Sequence, residues 1–320
     1  GISEAVELLA VDVDNPDSVT QMVDACQVVI TTVGPYQLYG DELVKQCAER
    51  GTDYVDLTGE PSWMHETIAQ YSSAAKASGA RIVHSCGFDS IPFDLGVYRL
   101  QQHAIAKTGQ PIVTVKGRVR AMNGTFSGGT IASMRATMAS AKANPAIIRV
   151  LTNPFALTEG FTGPEQPAGM APQYDEELKS WSAPFIMAPI NTKNIHRSNF
   201  LLGHQYGEDF RYDEMLLTGD GDQGKAAADY VAKDDSVAKS DLQPGEGPTK
   251  EERENGNYDA IFAGEAQDGE LMISSVQGDR DPGYGSTSKM LAEAAVCLLV
   301  NPDLASGGLW TPAAAMGDAL

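Results

Sequence analysis

Four short apolar segments begin near residues 6, 27, 53 and 81, and each leads into a stretch with helical periodicity. Steps of 21 to 28 residues match strand–helix–strand crossovers, which return the chain to one sheet with its strands parallel. Leu8 to Val13 predicts the first strand, followed by Asn15-Pro16, an N-cap with proline at the first helical position. Val19, Met22, Val23 and Cys26 then recur at the spacing of one buried helix face. Gln27 to Val33 reads QVVITTV, which predicts a strand covered on both faces. After Gly34-Pro35 comes a helix with Leu43, Val44, Cys47 and Ala48 inward and Gly51 as C-cap. Asp53 to Leu57 predicts a strand, Pro61 to Ser78 a helix ended by Gly79, and Arg81 to Cys86 a further strand.

From Pro111 the period changes to two. Val113, Val115, Gly117, Val119 and Ala121 alternate with Thr114, Lys116, Arg118 and Arg120, as in a strand with one buried and one wet face. Tyr258 to Ala266 and Glu270 to Gln277 flank Asp268-Gly269, a hairpin signal, and Tyr206 to Leu217 predicts another strand. Phe126 to Ala143 predicts a helix, Asn153 to Ala188 an irregular excursion or lid, and Asp234 to Asn257 an exposed acidic loop. Ser286 is the expected N-cap of a helix carrying Met290, Leu291, Ala294, Ala295, Leu298 and Leu299. The expected architecture is thus α/β: a parallel sheet over residues 1–110, an α+β domain with a mainly antiparallel sheet over 111–285, and 286–320 packing back on the first.

Forty-three acids against 23 bases give a net charge of −20, and 15 of the acids with 6 of the bases fall within residues 203–259. Polyanions are bound through Lys and Arg, so nucleic acid and anionic lipid are excluded as expected partners. No apolar run approaches the roughly 20 residues of a membrane span, and no basic-then-apolar leader opens the sequence. The four cysteines are scattered with no CxxC pair, which points to a reducing, cytoplasmic setting and to no metal site.

In an open parallel sheet, ligands sit beyond the carboxyl ends of the strands. The residues there are Asp12, Thr32 to Tyr36, Thr58 to Glu60 and Ser85 to Ser90, with glycine at three successive tips: Gly34, Gly59 and Gly87. Glycine lets backbone amides approach a ligand closely, although a tight turn alone would also use it. No G-x-G-x-x-G follows a first strand. Gly219 to Lys225 has phosphate-loop spacing, but Ala226 replaces the hydroxyl needed for magnesium, and Asp220 and Asp222 would repel phosphate. His84 and Cys86 fall in a strand buried on both faces, where a core role is expected for each.

Several longer strings carry a resemblance: Thr31-Thr-Val-Gly-Pro-Tyr36 with Tyr39-Gly40, Gly51 to Glu60, Cys86-Gly-Phe-Asp-Ser-Ile-Pro92, Tyr206 to Phe210, Pro244 to Pro248, Asp281-Pro-Gly-Tyr-Gly285 and Thr311 to Asp318. In these the chain resembles the saccharopine dehydrogenase-like oxidoreductases, and within them the trans-acting enoyl reductase branch. The resemblance implies a Rossmann-type dinucleotide domain, a second domain for substrate and homodimer formation, and NAD(P) as cofactor, with NADPH favoured. It also implies a first strand, glycine loop and second strand ahead of Gly1, and a helix beyond Leu320. The implied reaction is reduction of an enone or ketone, with a small-molecule, lipid-like compound as the candidate substrate. A non-catalytic dinucleotide-sensing or scaffold protein of the same fold is the alternative.

On that reading, Asp12, Thr32, Val33, Gly34, Pro35, Gly59, Glu60 and Gly87 are the expected cofactor contacts. Charge that builds on oxygen during reduction needs a proton donor, and Tyr36, Tyr39 and Asp89 are the candidates.

Overall fold

The computed structural model describes residues 6–320, which form two sheets. The first has four parallel strands in the order β1-β2-β3-β10: β1 Val28–Ile30, β2 Asp53–Val55, β3 Arg81–Val83 and β10 Gly308–Trp310. The second has six strands in the order β5-β6-β7-β4-β8-β9: β4 Thr114–Asn123, β5 Gln173–Asp175, β6 Ser180–Pro184, β7 Arg211–Gly219, β8 Asn257–Glu265 and β9 Leu271–Gly278. Its pairs are antiparallel except β4 with β7. The whole second sheet lies in sequence between β3 and β10, neighbours in the first, so the chain leaves the parallel sheet and returns to its edge.

Local chemistry explains the helices between the parallel strands. Asn15 accepts hydrogen bonds from the amides of Asp17 and Ser18 ahead of the helix Pro16–Asp24. The helices Asp41–Arg50 and Pro61–Ser78 end at Gly51 and Gly79, whose positive φ of 81° and 89° a side chain would resist. β2 and β3 are buried along their whole length, as both-face coverage requires. On one face lie Cys47, Tyr54, Met64 and Ile82; on the other, Val55 and Val83 pack with Leu291, Ala294 and Leu298 of the helix Thr287–Val300.

Some expectations are corrected. Among the described residues, no backbone ladders with Leu8 to Val13, which is therefore not in strand form, and Leu8 and Leu9 are exposed. Among the described residues, β1 lies at the edge of its sheet, with Ile30 and Val33 exposed rather than covered. Arg118 does not face water; it is buried in an ion pair with Asp213 at 2.9 Å, and Asp175 at 3.5 Å, because β7 flanks β4 on that side. Ser286 makes no capping bond. Asp281 instead accepts from the amides of Tyr284 and Gly285, through a π-helical turn over Pro282–Ser286. The excursion after Asn153 contains the β5–β6 hairpin, and the acidic loop contains short helices at Ser236–Lys239 and Lys250–Asn255.

The helix Ile91–Thr108 supports the mixed sheet through Phe93, Val97 and Leu100, packed with Val115 and Phe262. A Cβ on Gly96 would stand 2.1 Å from Phe262, so glycine is needed where helix and sheet approach. Against this helix lies Ala188–Leu201, with Lys193 to Asn199 all buried. None of the described helices is long and apolar enough to cross a membrane.

Candidate functional site

Beyond the carboxyl ends of β1, β2 and β3 the chain encloses a cleft of about 590 Å³, closed on its far side by the helices Gly128–Ala143 and Ala188–Leu201. Thr32, Leu57 and Tyr284 are shared with an adjoining cavity of about 540 Å³ that reaches Arg253 and Ser288. Leu57 and Asp89 also border a side pocket of about 70 Å³. Most of the main cleft's wall is apolar, with Met134, Met138, Leu151, Ile186, Met187 and Ile190 on the side away from the parallel sheet.

The glycine tips divide into two kinds. Gly34 and Gly59 face the main cleft, and a Cβ on Gly59 would lie 3.3 Å from Ile190 Cδ1 and 3.6 Å from Asp89 Oδ2. The space over Gly59 therefore admits a methyl group only if Ile190 gives way slightly, whereas a Cβ on Gly34 would stand in ordinary contact, 3.5 Å from Tyr36 and 3.8 Å from Ser133 Oγ. Gly87 is pressed against Leu57 and Thr287, 3.2 Å from each to its would-be Cβ, and borders the side pocket only.

Asp89 is half-buried, and its carboxylate has no hydrogen-bond partner among the described residues while lining both the main cleft and the side pocket. Burial raises its carboxyl to about 6, so it exchanges a proton near neutrality. This is the combination of access and a displaced pKa that acid–base chemistry requires.

The tyrosines do not share it. Tyr36 borders the cleft with its ring, but its hydroxyl donates to Thr31 O at 3.1 Å and accepts from Leu57 N at 3.4 Å, and burial pushes its ionisation far upward. Its proton is spent on holding β1 to β2. Tyr39 is about half exposed and lies off the cleft wall.

Glu60 is fully buried and wholly occupied. Oε1 accepts from Tyr36 N at 2.8 Å and Ser133 Oγ at 2.7 Å; Oε2 accepts from Gln37 N at 2.9 Å and Gln37 Nε2 at 2.8 Å. Its carboxylate sits at the start of the short helix Tyr36–Tyr39, where free amides and the helix dipole favour an anion. It braces the Gly34-Pro35 turn, whose peptide is cis, against the helix Gly128–Ala143, and has no face left for a cofactor. Pro35 is buried in that turn, Val33 projects to solvent, and Thr32 stands on the cleft wall. Asp12 is exposed, accepts from the Asp14 amide at 3.0 Å, and borders none of these cavities.

Behind the site, Asp56 accepts from Tyr54 Oη and the amides of Thr58 and Ser85, and contacts His84 Nδ1 at 2.7 Å. His84 Nε2 meets Thr67 Oγ1 at 3.1 Å. The group is buried and satisfied, so His84 fixes the turns after β2 and β3 rather than reaching a ligand.

Sequence reasoning missed the wall opposite the strand tips, and with it Ser133, Tyr284 and Lys193. Lys193 is 3% exposed, donates to Leu151 O at 2.7 Å and Pro189 O at 2.8 Å, and is held by burial at about 8. A lysine among asparagines and histidine carries no recognisable pattern, so no local signal marks it.

Residues 3–83 match the family described as the saccharopine dehydrogenase NADP binding domain. A Mycobacterium tuberculosis protein whose name places it among the trans-acting enoyl reductases is 39% identical over 98% of this chain and 81% of its own length. A trans-acting enoyl reductase of Mycobacterium ulcerans is 33% identical over the same shares. Among solved structures, the saccharopine dehydrogenase (L-Glu forming) of Saccharomyces cerevisiae aligns with 97% of this chain and 84% of its own at 11% identity, with a TM-score of 0.47.

Proposed function

The chain belongs to the saccharopine dehydrogenase-like oxidoreductases, an NADP-binding family with relatives named enoyl reductase, and from that premise we propose that its cleft reduces an enone or ketone with NADPH. The observation that carries the proposal is an open cleft at the tips of a parallel sheet, with bare glycine backbone on one side and an unpartnered, half-buried carboxyl beside it. A cleft filled with side chains would have favoured the scaffold alternative.

A nicotinamide bound there supplies a hydride. Thr32, Gly34 and Gly59 are the residues proposed to hold its ring and ribose, with Glu60 keeping the turn in place from behind. Asp89 keeps its proton to about pH 6 and delivers it to the substrate as charge builds. The apolar wall of Met134, Met138, Ile186 and Ile190 excludes water and suits an elongated, lipid-like substrate.

The test is a screen of enones, ketones and acyl lipids, following NADPH absorbance, with NADPH binding measured separately by fluorescence titration. Oxidation with at least one class is expected. Binding without oxidation of NADPH by any class would turn the reading toward the scaffold.

A further inference from the structure

We propose that Lys193 is a catalytic residue of this cleft: the cation that holds the carbonyl oxygen of an α,β-unsaturated substrate while it is reduced. The inference rests on the reductase reading above and adds a residue that the strand-tip rule does not reach.

The helix Ala188–Leu201 carries the placement. Ile190 abuts the Gly59–Asp89 corner, and Lys193, three residues on, lies on the same helix face and lines the same cleft. Its ammonium has three N–H donors, of which two are held by Leu151 O and Pro189 O. Among the described residues no third acceptor is in place and no carboxylate stands within ion-pair distance. A nearly buried ammonium without a counter-ion is costly unless something negative completes it. An oxygen that becomes anionic only during reaction does so, and a donor fixed in advance costs little reorganisation when the charge arrives.

The electron count closes with residues already described. Hydride from the nicotinamide adds to the β-carbon, the C=C pair shifts, and negative charge comes to rest on the oxygen beside Lys193 Nζ. The enolate then takes a proton at the α-carbon from Asp89, which is reprotonated from water; the C=C bond is reduced and the nicotinamide oxidised. Other titratable groups line the two cavities that Lys193 borders. They are Tyr36, Asp89 and Tyr284 in the cleft and Glu165, Tyr212, Asp213 and Glu214 in the cavity behind it; His196, outside both, lies one turn along the same helix. Burial is the cause that holds the lysine near 8.

Lys193→Met should lower kcat by about 100-fold or more with NADPH affinity unchanged, and Lys193→Arg should restore part of the loss. The wild-type rate should fall as pH rises through about 8, and the Met variant should lose that limb. A readout independent of turnover is competitive labelling of the cofactor-free protein with trace acetic anhydride. Lys193 should titrate near 8 and be shielded by 2-decanone, a saturated ketone. Unchanged kcat in an active enzyme's Met variant, or labelling of Lys193 like a surface lysine without shielding, would overturn the role. Shielding in a protein that oxidises NADPH with no substrate would overturn the reductase reading and the role together.

Discussion

Replacing Glu60 by glutamine should destabilise the protein by about 2–5 kcal/mol and loosen the turn beneath the proposed nicotinamide site. The carboxylate accepts four hydrogen bonds, two on each oxygen. Glutamine turns one oxygen into an NH2 group. Placed on the Oε1 side, that group faces the Tyr36 amide, while Ser133 can rotate and accept from it. Placed on the Oε2 side, it faces the Gln37 amide and also Gln37 Nε2, whose own carbonyl is already engaged by Ser140 Oγ at 2.8 Å. The first orientation is the better, yet each leaves one backbone N–H against a donor. A buried unmade bond of this kind costs about 1–3 kcal/mol. The surviving bonds lose their charge assistance, and two of them weakened by about 0.5–1 kcal/mol each supply the remainder. Urea unfolding at pH 7 measures the sum as a lower midpoint at unchanged slope. A loss below about 1 kcal/mol would mean that Glu60 does not brace the turn, and that the geometry assigned to Gly34 and Pro35 needs another cause.

Three further outcomes follow from the same geometry. Gly59→Ala puts a methyl 3.3 Å from Ile190 Cδ1, so NADPH should bind at least about 10-fold more weakly by fluorescence titration while the urea midpoint falls only slightly; equal binding would remove the nicotinamide from this corner. Asp89→Asn should cost about 100-fold or more in kcat and abolish a fall in rate as pH rises through about 6, a limb that must survive in the variant if another group gives the proton. Glu214 is buried between Tyr212 Oη at 2.6 Å and Asn191 Nδ2 at 2.6 Å, and burial lifts its carboxyl to about 8. The folded state thus keeps a proton that the unfolded chain releases near pH 4.3, and stability falls as pH rises between those values. Glu214→Gln should flatten that fall by a few kcal/mol between pH 5 and 8, and a wild-type-minus-variant difference constant over that range would show that Glu214 titrates normally.

What could be read from the sequence was what is decided locally. Asn15, Gly51 and Gly79 mark helix ends because a cap or a positive φ depends on a few neighbouring residues, and all three do so in the structure. The Asp268-Gly269 hairpin is of the same kind. β10 was invisible because Gly308–Trp310 is too short to show a period, and it becomes a strand only by pairing with β3, more than 220 residues earlier. Arg118 broke the alternation of β4 because an acid on the neighbouring strand, Asp213, makes an inward arginine tolerable. The strand-tip rule named Asp89 and Tyr36 alike; what separates them in the structure is that the Tyr36 hydroxyl is hydrogen-bonded to Thr31 O and Leu57 N while the Asp89 carboxylate has no partner among the described residues, a difference that no spacing encodes.

The helix Ala188–Leu201 explains why the missing half of the site had no signature. A surface helix advertises itself by an apolar stripe, but this one is surrounded, and Asn194, His196, Arg197 and Ser198 are buried with the rest. Several of its polar groups are held by distant segments, Asn191 by Glu214 of β7, Arg197 by the carbonyls of Leu157 and Leu309, and Ser198 by Asp94 and Thr311, while Asn194 Oδ1 and His196 Nε2 have no partner among the described residues. Leu309 belongs to β10 and Glu214 to β7, so one helix is hydrogen-bonded to both sheets. It can hold Ile190 and Lys193 against the strand tips only after both sheets are in place. The cleft is therefore a product of tertiary assembly. A variant that breaks a polar contact deep in this helix, such as Arg197→Met, should disturb the site before it disturbs the secondary structure of either sheet.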